Sequence, residues 1–308
     1  MAEQEKPGIL FAGTPEIAAF VLEKLVQEGA RITGVITAPD KPAGRGLQMQ
    51  CSEVKHTALR LGLRIFQPDR LKEPGFLEEL AECRPDLGIV VAFRMLPEEV
   101  WGLPRLGTIN LHASLLPAYR GAAPINRVIM AGEKRTGIST FLLKKEIDTG
   151  DILLREEMEI GENETAGELY QRMMHRGADL VWQTACGLFE GMLTGKPQDD
   201  RLASPAPKVF REHGRINPEN PAAVIHNQIR GLQPHPGAFI ETDGKILKIH
   251  QSLKTNQPLR GEEPGKLILK EKKLFLTCAD EYLEILRIQP EGKRIMTATE
   301  FLAGHKIP

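Results

Sequence analysis

A chain of 308 residues with 41% hydrophobic and 26% charged content has the composition of an ordinary globular protein, long enough for two domains or one large one. Its 40 basic and 41 acidic residues leave a formal net charge of -1, and disorder, collagen and coiled coil are excluded for the chain as a whole. No apolar run approaches the roughly 20 residues of a bilayer-spanning helix; the longest, 87–93, has the length of a strand.

Taken in order, Gly8-Ile9-Leu10-Phe11-Ala12 is a short apolar run ending at Gly13, which predicts a first strand. Thr14-Pro15 then reads as a helix N-cap and a first-turn proline, with Ile17, Phe20, Val21 and Leu25 at helical spacing behind it. Residues 32–37 predict a second strand. Ser52 caps a helix running to 61, and 76–83 gives another. The continuous apolar run at 87–93 suits a strand covered on both faces, and 107–111 is the next. This alternation predicts a parallel α/β sheet with helices on both faces. Residues 136–143 and 151–155 read as two further strands, followed by a long amphipathic helix over 165–193.

The texture then changes. Pro197, Pro205 and Pro207 punctuate a stretch without periodicity, which reads as a linker. Residues 238–242, Asp243-Gly244 and 245–251 predict a hairpin, and 266–270, 274–278 and 282–288 continue the short-strand pattern of a small β-barrel. The chain thus reads as an α/β part, a linker and a short-strand part.

From Asp200 onward there are 17 Lys and Arg against 13 Asp and Glu, a net of +4; the remainder has 23 against 28, a net of -5. The mildly basic C-terminal third permits a polyanionic partner but equally describes a solvated, lysine-rich sheet edge. Ala2-Glu3-Gln4-Glu5-Lys6 lacks the basic opening of a signal peptide. Cys51, Cys83, Cys186 and Cys278 form no Cys-x-x-Cys pair, so no zinc site and no disulfide framework is indicated and a reducing cytoplasm is expected.

Ligands of open parallel sheets bind beyond the carboxyl ends of the strands. There, Asn110 and His112 stand at i and i+2, on one face of an apolar strand. Asp148 lies in the turn before Gly150, and between them runs an irregular loop rich in small residues and prolines. A carboxamide can donate to an oxyanion but cannot attack; a protonated imidazole can donate too; a carboxylate can hold the imidazole or take a proton from an amine through water. Without an activated Ser or Cys, this set favours direct acyl transfer through a tetrahedral intermediate over a covalent acyl-enzyme. An α-amino group, with a pKa of about 7.7–8.0, is a suitable attacker near neutrality. Taken singly, the same residues are also common as strand-end hydrogen-bonders, Asp148 as an Asx turn and Ser114 as a loop cap.

Asn110-Leu111-His112-Ala113-Ser114-Leu115-Leu116-Pro117, followed by Tyr119-Arg120-Gly121-Ala122-Ala123-Pro124-Ile125 and Asp148-Thr149-Gly150-Asp151, resembles the signature of the folate-dependent formyltransferases. Pro39-Asp40-Lys41-Pro42-Ala43-Gly44-Arg45-Gly46, Leu202-Ala203-Ser204-Pro205-Ala206-Pro207-Lys208 and Pro236-Gly237-Ala238-Phe239 are similar to the insertion loop, linker and C-terminal opening of the tRNA-acting branch. The resemblance implies a Rossmann-like, mostly parallel catalytic domain over 1–193, a linker over 194–208 and an OB-like β-barrel over 209–308, with formyl transfer from 10-formyltetrahydrofolate to the α-amine of methionyl initiator tRNA; no metal, membrane or obligate protein partner is expected. It assigns Asn110, His112 and Asp148 to catalysis, Ser114, Leu115, Leu116 and Pro117 to the folate site, and Arg45 to the tRNA acceptor end; Lys208 could contact a tRNA phosphate. On its own Arg45 belongs to an ordinary glycine-flanked loop and Lys208 to an exposed linker. Two places depart from the family pattern: Phe93-Arg94, where Tyr-Gly is usual, and the charged Lys144-Lys145-Glu146.

Other readings are a formyltransferase acting on glycinamide ribonucleotide or a nucleotide amino sugar, and a non-catalytic RNA-binding module. A nicotinamide dehydrogenase is disfavoured because Gly13-Thr14-Pro15-Glu16 opens the first helix without G-x-G-x-x-G.

Overall fold

The structure, a computed structural model, describes residues 6–43, 48–242 and 244–304. It divides into two compact units. The first comprises the described residues of Met1–Arg120, Gly137–Glu157 and Arg172–Ser204; the second comprises those of Gly121–Thr136, Met158–Gln171 and Pro205–Pro308.

The first unit opens with β1 (Gly8–Gly13), buried along its whole length, and α1 (Glu16–Gln27), whose apolar stripe includes the fully buried Val21, Leu22 and Leu25. Thr14 does not cap this helix. Pro15 occupies the cap position in an extended conformation, with no side-chain hydrogen bond there, and the chain turns helical only at Glu16. β2 (Arg31–Ile36) follows, then a short hairpin of β3 (Lys41–Ala43) and β4 (Gln48–Gln50), absent from the sequence reading. Ser52 does cap α2 (Glu53–Arg60), accepting from the Lys55 N–H at 3.0 Å. After β5 (Ile65–Phe66) and α3 (Pro74–Glu82) comes β6 (Leu87–Val91), which stops short of the expected 93 because Ala92 takes a left-handed φ of 46°.

α4 (Glu98–Trp101), β7 (Thr108–His112), α5 (Pro124–Met130), β8 (Arg135–Leu142), β9 (Ile152–Glu159) and α6 (Ala166–Phe189) complete the N-terminal half. Thr165 and Glu168 form a reciprocal cap at the start of α6, each side chain accepting from the other's backbone N–H.

The sheet has seven strands in the order β5-β2-β1-β6-β7-β8-β9. Its β5/β2, β2/β1, β1/β6 and β6/β7 pairs are parallel and β7/β8 is antiparallel, so the expected mostly parallel α/β sheet is found. The chain runs outward from β1 through β2 to β5, then resumes on the other side at β6. That reversal is where open α/β sheets form a crevice at the carboxyl ends of their strands.

The second unit is an antiparallel β domain flanked by helices. Its sheet runs β10-β11-β14-β13-β12, from β10 (Ala238–Thr242), β11 (Lys245–Pro258), β12 (Leu267–Lys270), β13 (Lys273–Thr277) and β14 (Glu281–Pro290), with β15 (Met296–Thr297) on β14. The expected hairpin is present as β10/β11, though Asp243 in its turn lies outside the described residues. The core is an aliphatic cluster including Ile225, Ile229, Ile249, Leu274, Leu283 and Ile288, and α8 (Ala298–Gly304) adds Phe301 to it. α7 (Ala222–Gly231) packs against α5. There the Asn126 carboxamide donates to the Gly231 carbonyl at 2.7 Å, and a Cβ on Gly231 would meet Met130 at 2.7 Å. Among the described residues no helix is long and apolar enough to cross a membrane.

Candidate active site

The end of β7 supplies two of the expected site residues. Asn110 is half-buried and His112 is 7% exposed, both on one face of the strand by its period of two. The imidazole is fixed on two sides. Its Nε2 lies 2.9 Å from the Tyr119 carbonyl, which can only accept, so Nε2 carries a proton. Its edge meets the buried Phe141 ring in a T-shaped contact at 6.4 Å between centroids. The remaining nitrogen, Nδ1, faces Asp148 Oδ2 at 3.7 Å.

Asp148 reaches this position on a tight loop between β8 and β9. Its own φ is 55°, and Gly150 follows where a Cβ would stand 1.5 Å from the Leu142 carbonyl oxygen, a contact no side chain tolerates. The Leu142 N–H donates to the Asp151 carbonyl at 3.0 Å, Lys144 Nζ donates to Asp151 Oδ1 at 2.7 Å, and Thr149 closes onto the Glu146 carbonyl at 3.0 Å. Lys144, one of the departures noted in the sequence, thus braces the loop.

Gln198, singled out by no motif, holds the same loop. Its Nε2 donates to the carbonyls of Asp148 at 2.8 Å and Gly150 at 2.7 Å, and its Oε1 accepts from Arg120 Nη2 at 2.8 Å and Nε at 3.1 Å. It lies in the proline-punctuated stretch read as linker, where neither periodicity nor a motif marks it.

The loop after β7 is set by its own hydrogen bonds. The fully buried Ser114 hydroxyl donates to the Ala118 carbonyl at 2.6 Å, and Ser139 bridges the Ser114 carbonyl and the Leu116 N–H. Leu116 is fully buried and its carbonyl accepts from Arg155 at 3.0 Å; Leu115 and Pro117 remain half-buried. Arg94 is exposed and donates to the carbonyls of Pro68 and Asp69. Arg45 lies outside the described residues, as do Gly44 and Gly46. Asp40, in the same sequence motif, is held by hydrogen bonds from Lys55 and Gln67, which keep its carboxyl below the usual range. Lys208 is exposed, its ammonium 5.5 Å from the centroid of the Phe210 ring.

Two donors at a strand end, with a carboxylate beside one of them and no free nucleophile in the adjacent loop, suit an acyl transfer in which negative charge grows on a carbonyl oxygen. A family model described as formyl transferase matches residues 7–184, and a second, described as formyl transferase, C-terminal domain, matches residues 208–306. The chain belongs to the formyl transferase family. Among its relatives in that family is a protein of Caldanaerobacter subterraneus named methionyl-tRNA formyltransferase, 44% identical over 302 residues and covering 97% of each chain.

Solved structures share the fold of this formyl transferase. An N-formyltransferase from Helicobacter canadensis, in complex with folinic acid and dTDP-3-aminofucose, matches at a TM-score of 0.69 and 20% identity over 90% of this chain and 97% of its own. HypX from Aquifex aeolicus, in complex with tetrahydrofolic acid, matches at 0.65 and 18% identity over 97% of this chain and 48% of its own.

Proposed function

We propose that the protein transfers a formyl group from 10-formyltetrahydrofolate to the α-amino group of methionyl initiator tRNA, giving formylmethionyl-tRNA for translation initiation in the cytoplasm. The observation that carries this reading is the end-to-end relation to methionyl-tRNA formyltransferase, at 44% identity over 97% of both chains. Residues 1–193 carry the chemistry, 194–208 link, and 209–308 bind tRNA, where the basic surplus of the C-terminal third suits a phosphate backbone.

The residues present fit a folate donor. Leu115 and Pro117 offer half-buried apolar surface beside the two polar groups of β7, while the Ser114 hydroxyl, the Leu116 N–H and the carbonyls of Ser114, Leu115 and Leu116 are already engaged. When bound, the donor supplies a formyl carbon activated by its nitrogen. As the amine adds to that carbon, Asn110 and His112 donate to the oxygen that gains negative charge; the bond from the carbon to the donor nitrogen then breaks, and tetrahydrofolate leaves, its nitrogen taking up a proton in place of the one the amine gives up. Nε2 of His112 being given to the Tyr119 carbonyl, Nδ1 makes the bond to that oxygen, and Asp148, 3.7 Å from Nδ1, flanks the imidazole and accepts the amine proton through water. The commitment of the Ser114 hydroxyl to Ala118 leaves no side-chain nucleophile in this loop, which supports direct transfer. Arg45 and Lys208 contact the tRNA.

The test offers a formyl-folate donor with methionyl initiator tRNA, methionyl elongator tRNA, glycinamide ribonucleotide and a nucleotide amino sugar, and measures formylated product. Formylation of the initiator tRNA in preference to the other three is expected. Preferential formylation of either small amine, or none at all, overturns the reading.

A further inference from the structure

Two residues at the site hold left-handed backbone without being glycine: Tyr119, at φ 60°, and Asp148, at φ 55°. L-residues avoid this region unless their surroundings impose it. Both matter to the chemistry, because the Tyr119 carbonyl fixes Nε2 of His112 and Asp148 itself faces Nδ1. Both are tied to one short stretch of chain. The Tyr119 N–H donates to the Ser204 hydroxyl at 2.9 Å, and the next N–H, of Arg120, donates to the Ser204 carbonyl at 2.8 Å. Gln198 holds the Asp148 and Gly150 carbonyls from the other end of the stretch and accepts the Arg120 guanidinium, which also reaches Asp200 at 2.8 Å.

We propose that Gln198, joined through Arg120 to Ser204, is a positioning residue that sets the imidazole of His112 and the carboxylate of Asp148 against each other. The orientation of its amide is dictated by the partners. Reversed, it would turn NH2 toward a guanidinium and oxygen toward two carbonyls, with all four bonds lost. A glutamine is therefore required: it alone, at this length, presents an acceptor to Arg120 and a two-hydrogen donor to the loop. The inference rests on the catalytic roles given above to His112 and Asp148.

Gln198→Glu separates the two halves of this function. It keeps the acceptor for Arg120, strengthened by charge, while facing the Asp148 and Gly150 carbonyls with an oxygen in place of their donor. The expected result is a kcat reduced tenfold or more, KM for both substrates within about twofold of wild type, and a thermal midpoint lowered by no more than a few degrees. In an Asp148→Asn background the same substitution costs less than a further twofold, because the residue through which Gln198 acts has already been disabled. In the ligand-free protein, the His112 ring 15N signals move in Gln198→Glu while those of His175, packed on Phe20, do not. An unchanged kcat, a loss confined to KM, full additivity with Asp148→Asn, or unmoved His112 signals overturns the proposal. Wild-type protein that formylates none of the amines, together with moved His112 signals, sinks the catalytic reading and leaves the positioning role standing.

Discussion

With Nε2 of His112 committed to the Tyr119 carbonyl, Nδ1 alone is left to meet Asp148 or a substrate oxygen. The period of a strand was enough to put Asn110 and His112 on one face. Which nitrogen works was not legible, because it depends on a carbonyl that an irregular loop delivers through a left-handed residue. If the two side chains act as donors to a developing oxyanion, Asn110→Ala and His112→Ala each lower kcat by about 10²–10³-fold. Affinity for tRNA stays within about twofold, since neither group meets a phosphate. Single-turnover kinetics beside a tRNA-binding isotherm read both quantities, and near wild-type turnover in either variant removes that residue from the mechanism. Arg45→Ala is expected to do the reverse: losing a forked cation that contacts the acceptor raises KM for tRNA about tenfold and leaves the KM for the folate donor unchanged. Equal loss for both substrates, in steady-state assays varying one at a time, contradicts a tRNA-specific role.

Among the elements, those that announce themselves are those whose burial is simple. β1 and β6, buried throughout, stand out as unbroken apolar runs, and α1 by its 3.6-residue stripe. The apolar pattern of β9 ends at 155, whereas the strand continues to Glu159. It is the outermost strand of its sheet, and the acidic residues that blunt an exposed edge also disguise it as a loop. α7 is hidden in the sequence although Ile225 and Ile229 stand four apart after Pro221, because the prolines on either side of it have the pattern of a loop. The β8–β9 loop is the element on which the site depends most, and Gly150 is its hinge of contact. In Gly150→Ala the new methyl cannot occupy a point 1.5 Å from the Leu142 oxygen, so the loop must lift and carry Asp148 with it. Overpacking of this kind costs about 1–3 kcal/mol. The variant should melt several degrees lower and lose at least tenfold in kcat while far-UV circular dichroism stays native; wild-type melting and turnover together would show that the loop has room to yield.

Across the whole molecule, what local pattern could not supply is which distant segments share a core. Gly121–Thr136 and Met158–Gln171 belong to the second unit because α5 meets α7 and because the Gly161 and Glu164 carbonyls accept the buried guanidinium of Arg230. Periodicity reports a helix face but not its partner. The same arrangement buries His226 to 2% exposure, with Nε2 against the Glu162 carbonyl at 3.3 Å and Nδ1 against the Ser252 hydroxyl at 3.0 Å. The carbonyl requires a proton on Nε2, and the hydroxyl can then donate to a bare Nδ1, so the neutral ring satisfies both partners. Burial pushes its pKa below the ordinary 6.5; Arg230 and Lys254 push the same way, while the carbonyl bond and the Glu162 carboxylate oppose them. Since the unfolded chain takes up this proton first, the contribution of His226 to stability is complete above about pH 6.5 and is lost as pH falls through 6.5 toward the lowered native value. One proton makes the steepest loss about 1.4 kcal/mol per pH unit. His250, shifted in the same direction chiefly by burial, with Lys248 and Arg287 adding to it and Gln289 opposing, extends the loss over the same range. Thermal midpoints measured from pH 7.5 to 5.5 should therefore fall more steeply for the wild type than for His226→Gln, which cannot take the proton. Parallel lines for the two proteins would mean that the acid sensitivity of this unit arises elsewhere.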